Sequence, residues 1–164
     1  MNSGLRIIAF CCNWCSYAAA DLAGISRLHY PPSVRIIRVM CSGMVHPEMV
    51  LHALARGAHG VTIIGCHLGE CHYIRGNEIA LARAEVIAET LEDLGFEPER
   101  FQLVWVSSAE PERLVDAFRQ MHERLLRLYG LIEPDPAATD GEDPPSTRIS
   151  TVSGCKAVPV ARSP

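Results

Sequence analysis

Hydrophobic and polar positions divide the chain into two alternating kinds of segment. Four short apolar runs rich in β-branched residues, Leu5–Phe10, Val34–Met40, Val61–Gly65 and Phe101–Val106, read as strands. Three of them are continuously or almost continuously apolar, the pattern of parallel strands covered on both faces. Val34–Met40 instead carries Arg35 and Arg38, which assigns it to a sheet edge. Between and after the strands lie four helical patterns. The first, roughly Cys15 to Leu28, is alanine-rich and suited to close packing. Pro47 opens the second, which runs to about Arg56 before Gly57. Asn77 is placed to cap the third, with an apolar stripe of Ile79, Ala82, Val86, Ile87, Leu91 and Leu94 and a stop at Gly95. Ser107 or Ser108, with Pro111 just inside, opens the fourth, which carries Leu114, Phe118, Met121, Leu125 and Leu128 and ends at Gly130.

The order βαβαβαβα predicts an α/β fold with a four-stranded parallel sheet and right-handed crossovers. A flavodoxin-like strand order of 2-1-3-4 is the expectation. The composition changes after Gly130. Leu131–Pro164 holds six of the eleven prolines, with five acids against three bases, which is half of the net charge of −4. Residues 1–130 are therefore expected to form the domain, and 131–164 a linker ending in an extended docking arm over Arg148–Val160.

With 48% hydrophobic and 21% charged residues the chain is neither disordered throughout nor fibrous. Its mild acidity gives no case for nucleic acid. No apolar run approaches the roughly 18–20 residues of a membrane span, and the start lacks a secretory apolar region, so the expectation is a cytoplasmic protein without membrane insertion.

Cysteine changes the picture. In a reducing compartment seven cysteines point to metal or redox chemistry rather than disulfides. Cys11 and Cys12 follow the first predicted strand, Cys41 the second and Cys66 the third, while Cys15 begins a helix and Cys71 lies in the loop after strand three. The carboxyl ends of neighbouring parallel strands share one crevice, so three distant segments bring thiols to a single rim. Cys12-Asn13-Trp14-Cys15 is one chelating bite. Cys66-x4-Cys71 is a wider one, of the kind found in plant-type iron–sulfur loops. Together they offer four thiolates, two for each iron of a 2Fe–2S cluster, with Cys41 a rival ligand or near neighbour. Backbone N–H groups at the start of the first helix, at Ser42–Gly43 and at Gly69–Glu70 can stabilise sulfur charge there.

Other residues read more plainly. Cys11 suits a small buried hydrophobe, and Cys155 an incidental thiol in the tail. His67 and His72 belong at the rim rather than among the ligands; His29, His46, His52, His59 and His122 read as surface residues. Trp14, Tyr17 and Tyr73 could shield a cluster from water. No phosphate-binding glycine loop, nucleophile elbow or zinc-protease helix is present. Two rivals stay open at this point: a zinc-holding structural or interaction module, and a thiol–disulfide oxidoreductase using Cys12 and Cys15.

Four stretches carry a resemblance: Cys12-Asn13-Trp14-Cys15-Ser16-Tyr17, Ala20-Asp21-Leu22-Ala23-Gly24, Arg35-Ile36-Ile37-Arg38-Val39-Met40-Cys41-Ser42-Gly43 and Gly65-Cys66-His67-Leu68-Gly69-Glu70-Cys71-His72-Tyr73. They resemble the delta subunit of methyl-viologen-reducing hydrogenase, over about residues 5–130. The resemblance implies an iron–sulfur protein with one 2Fe–2S cluster and no substrate chemistry of its own. It also implies relay of electrons between a hydrogenase or formate dehydrogenase module and the A-type flavoprotein of a heterodisulfide reductase complex, within flavin-based electron bifurcation in anaerobes. By position the family's cysteines are Cys12, Cys15, Cys41, Cys66 and Cys71, five candidates for four ligand places.

Overall fold

Residues 4–131 are described in the computed structural model, and the predicted docking arm and Cys155 lie outside them. β1 (Ile7–Cys12), β2 (Val34–Val39), β3 (Gly60–Gly65) and β4 (Phe101–Trp105) form one parallel sheet in the order β2-β1-β3-β4. β2 lies at the edge, as its two arginines require. The helices are α1 (Ser16–Ile25), α2 (Pro47–Ala55), α3 (Gly76–Asp93) and α4 (Pro111–Leu128), with single 3-10 turns at Ser42–Met44 and Pro98–Arg100.

Two apolar layers sandwich the sheet. Ile7, Ala9 and Cys11 of β1 face α1 and α4, where Phe118, Met121 and Leu125 are fully buried. Phe10 of β1 joins Val61, Ile63 and Leu103 against Val50 and Leu54 of α2 and Ala84, Ile87 and Leu91 of α3. This division is the period-two alternation of a strand covered on both sides. β3 is buried at all six positions, which its central place in the sheet demands.

Three expected details are corrected. β1 extends to Cys12, so Cys11 and Cys12 are its last two residues instead of following it. On α3 the buried face is Gly76, Asn77, Ala80, Ala84, Ile87 and Leu91, while Ile79, Val86 and Leu94 of the expected stripe are exposed. Small residues at 76, 80 and 84 let the helix lie close to the sheet and the cysteine loops, and that close approach, more than the largest apolar side chains, selects the inward face. Finally, neither Asn77 nor Ser107 or Ser108 occupies a helix-capping position. Those positions belong to Arg75 and Glu110.

Candidate metal centre

The carboxyl edge of the sheet gathers the cysteines as a triad and a pair. Cys12 closes β1, Cys15 is at the N-terminal boundary of α1, and Cys66 directly follows β3. Their three sulfurs lie within 4.8 Å of one another, with Cys12 Sγ 3.8 Å from Cys66 Sγ, and all three residues are buried. Cys41 and Cys71 form the adjoining pair, Sγ to Sγ 3.9 Å. Cys41 stands two residues beyond β2 at the boundary of the first 3-10 turn, and Cys71 lies in the loop before α3.

Cys11 is excluded from this group by strand geometry. It shares β1 with Cys12 but its side chain points to the opposite face, into the α1/α4 core, and burial pushes its thiol up to about 12. It is an inert packing residue.

The triad is poised to hold negative charge. Hydrogen bonds from the Cys15 thiol, then from Cys66, bring Cys12 well below the usual thiol range. The backbone N–H groups of Trp14 and Ser42 reinforce the effect. Cys15 and Cys66 are raised chiefly by their hydrogen bonds to Cys12. Burial raises Cys41, against the pull of the Gly43 N–H. The first 3-10 turn therefore donates to sulfur as expected at Ser42 and Gly43. The Glu70 N–H instead closes a turn onto the His67 carbonyl at 3.0 Å.

The donor set fits a thiolate-bound metal or iron–sulfur group. Soft sulfur donors converge from three segments, N–H groups aim at two of them, and the fully buried Ser42 hydroxyl beside them has no partner among the described residues. A cavity of about 250 Å³ opens alongside, lined by Trp14, Cys15, Cys66, Glu70, His72 and Ser107 among others.

Buried contacts fix the loops around these sulfurs. The Asn77 amide, fully buried, donates to the carbonyls of Cys66 (3.3 Å) and His67 (2.6 Å), while its oxygen accepts the Glu78 N–H (2.9 Å). One side chain thus ties the start of α3 to the loop of Cys66. The Ser16 hydroxyl donates to the Ile64 carbonyl at 2.8 Å, joining α1 to β3. His67 does take a rim position, 2.6 Å from the Glu110 carboxylate. Glu110 is drawn down to about 2, first by the Ser107 N–H it accepts at 2.7 Å and then by His67.

Trp14 stacks on His72 with ring centroids 3.8 Å apart, and its indole N–H donates to the Tyr73 hydroxyl at 3.3 Å. Tyr17 is no shield: it packs against the α1/α4 core with the Arg38 guanidinium over its ring. An exposed apolar rim borders the site. Met40, Met44, Leu68, Tyr73 and Ile74 all face solvent. Ile74 is 81% exposed and has φ +68°, a backbone region that β-branched residues avoid. The positive φ follows from the turn and not from residue type, so composition carried no signal for it.

The chain is thus a parallel α/β domain whose carboxyl edge carries a buried group of three thiols close enough to hold one metal ion. Residues 7–128 match the family described as methyl-viologen-reducing hydrogenase, delta subunit, and the chain belongs to that family. It is 48% identical over 128 residues to the D-type iron-sulfur component of the vhu F420-non-reducing hydrogenase of Methanopyrus kandleri, covering 78% of this chain and 97% of the relative. It is 46% identical over 120 residues to the corresponding D-type iron-sulfur component of the vhc enzyme of Methanococcus voltae, covering 73% of this chain and 83% of the relative. A third relative is larger. The A-type component of the ferredoxin:CoB-CoM heterodisulfide reductase of Methanosarcina mazei is 48% identical over 119 residues, 73% of this chain but only 15% of that protein's length. No helix among the described residues is long and apolar enough to cross a membrane.

Proposed function

We propose that this protein is a cytoplasmic electron-transfer component holding one 2Fe–2S cluster on Cys12, Cys15, Cys66 and Cys71. It relays electrons between a hydrogenase or formate dehydrogenase module and the A-type flavoprotein of a heterodisulfide reductase-type, electron-bifurcating complex. The observation that carries the reading is the convergence of Cys12, Cys15 and Cys66, with Cys71 and Cys41 paired beside them. Cys71 is taken as the fourth ligand because it comes from the same loop as Cys66, leaving Cys41 as a neighbouring thiol.

Such a cluster supplies storage of one electron at a time. The chain's own residues do the rest. The N–H groups of Trp14, Ser42 and Gly43 offset charge on sulfur, burial of the triad excludes water, and Asn77 holds the Cys66 loop in place. The exposed apolar rim offers a surface on which a partner's cofactor can come close. The A-type partner is supported by the Methanosarcina mazei relative, in which a domain like this one is part of the heterodisulfide reductase polypeptide itself. The hydrogenase side rests on the names of the two shorter relatives.

Anaerobic purification with iron, zinc and acid-labile sulfide analysis, then electron paramagnetic resonance after reduction, tests the reading. Iron and sulfide in equal amounts with a reduced-state signal are expected, and Cys66→Ser and Cys71→Ser should each lose or alter that signal. A colourless protein with one zinc overturns the cluster. A metal-free protein cycling between Cys12–Cys15 dithiol and disulfide makes it an oxidoreductase instead. An unchanged spectrum in Cys71→Ser but a lost one in Cys41→Ser moves the fourth ligand to Cys41.

A further inference from the structure

Ser42 opens the first 3-10 turn, and its main-chain groups are both engaged. Its N–H points at the Cys12 sulfur, and its carbonyl accepts the Val45 N–H at 3.1 Å. The side chain is different. Ser42 is 1% exposed, and its hydroxyl has no hydrogen-bond partner among the described residues, the rim cysteines included. A buried hydroxyl left so is costly, and it marks either strain or a partner bound from outside the chain.

Strand register places this hydroxyl. β1 and β3 run side by side with Cys11 opposite Ile64, so Cys12 and Gly65 stand next along the ladder. Both lie on the α2/α3 face of the sheet, as Phe10 and Ile63 do two residues earlier. A Cβ on Gly65 would come within 2.6 Å of Ser42 Oγ. The hydroxyl therefore covers the end of β3, immediately before Cys66 and one strand spacing, about 4.8 Å, across from Cys12. The sulfurs of Cys12 and Cys66 are themselves 3.8 Å apart. The turn is clamped from the far side, where Gly43 packs on the Gly76 carbonyl and Arg83 donates to the Gly43 carbonyl. Thr62 provides the contrast. Its hydroxyl is also fully buried and without a partner among the described residues. It lies earlier on β3, however, and alternation turns it with Ile64 toward α1 and α4, away from Cys12.

We propose that the Ser42 hydroxyl donates a hydrogen bond to a sulfur of the iron–sulfur group held at the triad, and so helps to set its reduction potential. The inference rests on the cluster reading above and extends it to a residue outside the cysteines. Inorganic sulfide is an acceptor that the chain itself does not supply. It therefore suits a donor that finds no partner among the chain's own thiols. Reduction adds negative charge to the sulfurs, so a donor there stabilises the reduced form more than the oxidised one and raises the potential.

Reductive titration of the anaerobically purified full chain, followed by electron paramagnetic resonance, tests it. Ser42→Ala should keep the parent's iron and sulfide content. Its reduction should be about tenfold less favourable, a downward shift of about 59 mV for one electron. Pulsed resonance after exchange into heavy water should show one coupled exchangeable proton fewer than in the parent. Thr62→Val removes the other buried hydroxyl and should leave both readouts unchanged. An unchanged potential or an unchanged proton count in Ser42→Ala overturns the proposal. So does loss of the cluster from that variant, which would make Ser42 a structural residue. Equal shifts in Ser42→Ala and Thr62→Val overturn it too, because loss of any buried hydroxyl would then be the cause. A parent that holds zinc or no metal overturns the cluster reading itself, and the parent's iron and sulfide content tells that failure from the others.

Discussion

Gly76 sits against the Cys41 sulfur so closely that a Cβ there would overlap it, and that same Cβ would lie 3.0 Å from the Cys71 sulfur. The neighbouring strand end is equally tight, since a Cβ on Gly43 would come within 2.5 Å of the Gly76 carbonyl. The start of α3 is thus pressed onto the cysteine pair, and only a residue without a side chain fits between them.

Gly76→Ala should therefore disturb the Cys41–Cys71 pair while leaving the sheet folded. Altered iron content or resonance spectrum with native-like circular dichroism is expected. Gly24→Ala, at a helical site with open space, serves as the contrast and should stabilise the protein by about 0.5–1 kcal/mol. A Gly76→Ala protein identical to the parent in its metal centre would show that the pair is free to move.

Cys11→Ala should leave metal content unchanged, because the side chain lies across the sheet from the triad. It removes one buried sulfur atom, and the expected loss is about 1 kcal/mol by denaturant unfolding. In the folded protein Cys11 should also resist alkylation, since the thiol is fully buried and its ionisation is pushed up to about 12.

Asn77→Asp separates the two jobs of that side chain. Its oxygen can still accept from Glu78, but a carboxylate would face the carbonyls of Cys66 and His67 with no proton to give. A loss of about 1–3 kcal/mol is expected, accompanied by a change in the spectrum of the metal centre. Stability lost without spectral change would confine Asn77 to the fold.

Ile74→Asn places a residue tolerant of positive φ where an isoleucine now sits. Stability should rise by about 1 kcal/mol in thermal or denaturant unfolding. If the rim is the docking face for the partner, the same change should weaken the complex in a co-purification assay. A variant both more stable and fully competent in assembly would remove Ile74 from that face.

Glu110 supplies a pH dependence with a definite sign. Its folded-state ionisation is depressed to about 2 from an ordinary 4.5. The stability it contributes is fully present above 4.5 and is lost as pH falls from there toward 2. Glu110→Gln removes this contribution, so the gap in melting temperature between parent and variant should be constant near neutrality and narrow below about 4.5. A gap that does not change with pH would mean that Glu110 acts by packing alone.

Much of the architecture was legible along the chain because it depends on short-range patterns. β-branched runs of buried length, arginines on the second run, and proline and glycine at helix ends were enough for the element order and the edge position of β2, while the strand order came from analogy with flavodoxin-like sheets. The gathering of cysteines at one rim followed from that topology, since parallel strands must end on the same side. Other features were not legible. α3 turns Ala80 and Ala84 inward and leaves Ile79 and Val86 in solvent, because its distance from the sheet is set by Gly76 against the cysteine pair. Hydrophobicity along one helix contains no information about that distance. The exposed rim around Ile74 likewise depends on a loop path that residue types do not dictate.

The sequence by itself determined the fold class, the edge on which the thiols meet, and the family, because these rest on periodicity, strand-end placement and long local motifs. Tertiary structure decided how the thiols are divided. Cys12, Cys15 and Cys66 come together as a triad, Cys41 and Cys71 as a pair, and Cys11 is sent through to the far side of the sheet. The reason is geometric. Spacing limits which cysteines can reach one rim, but sulfur-to-sulfur distances of a few ångströms depend on strand register, side-chain direction and the packing of α3, which are set only when the whole domain closes.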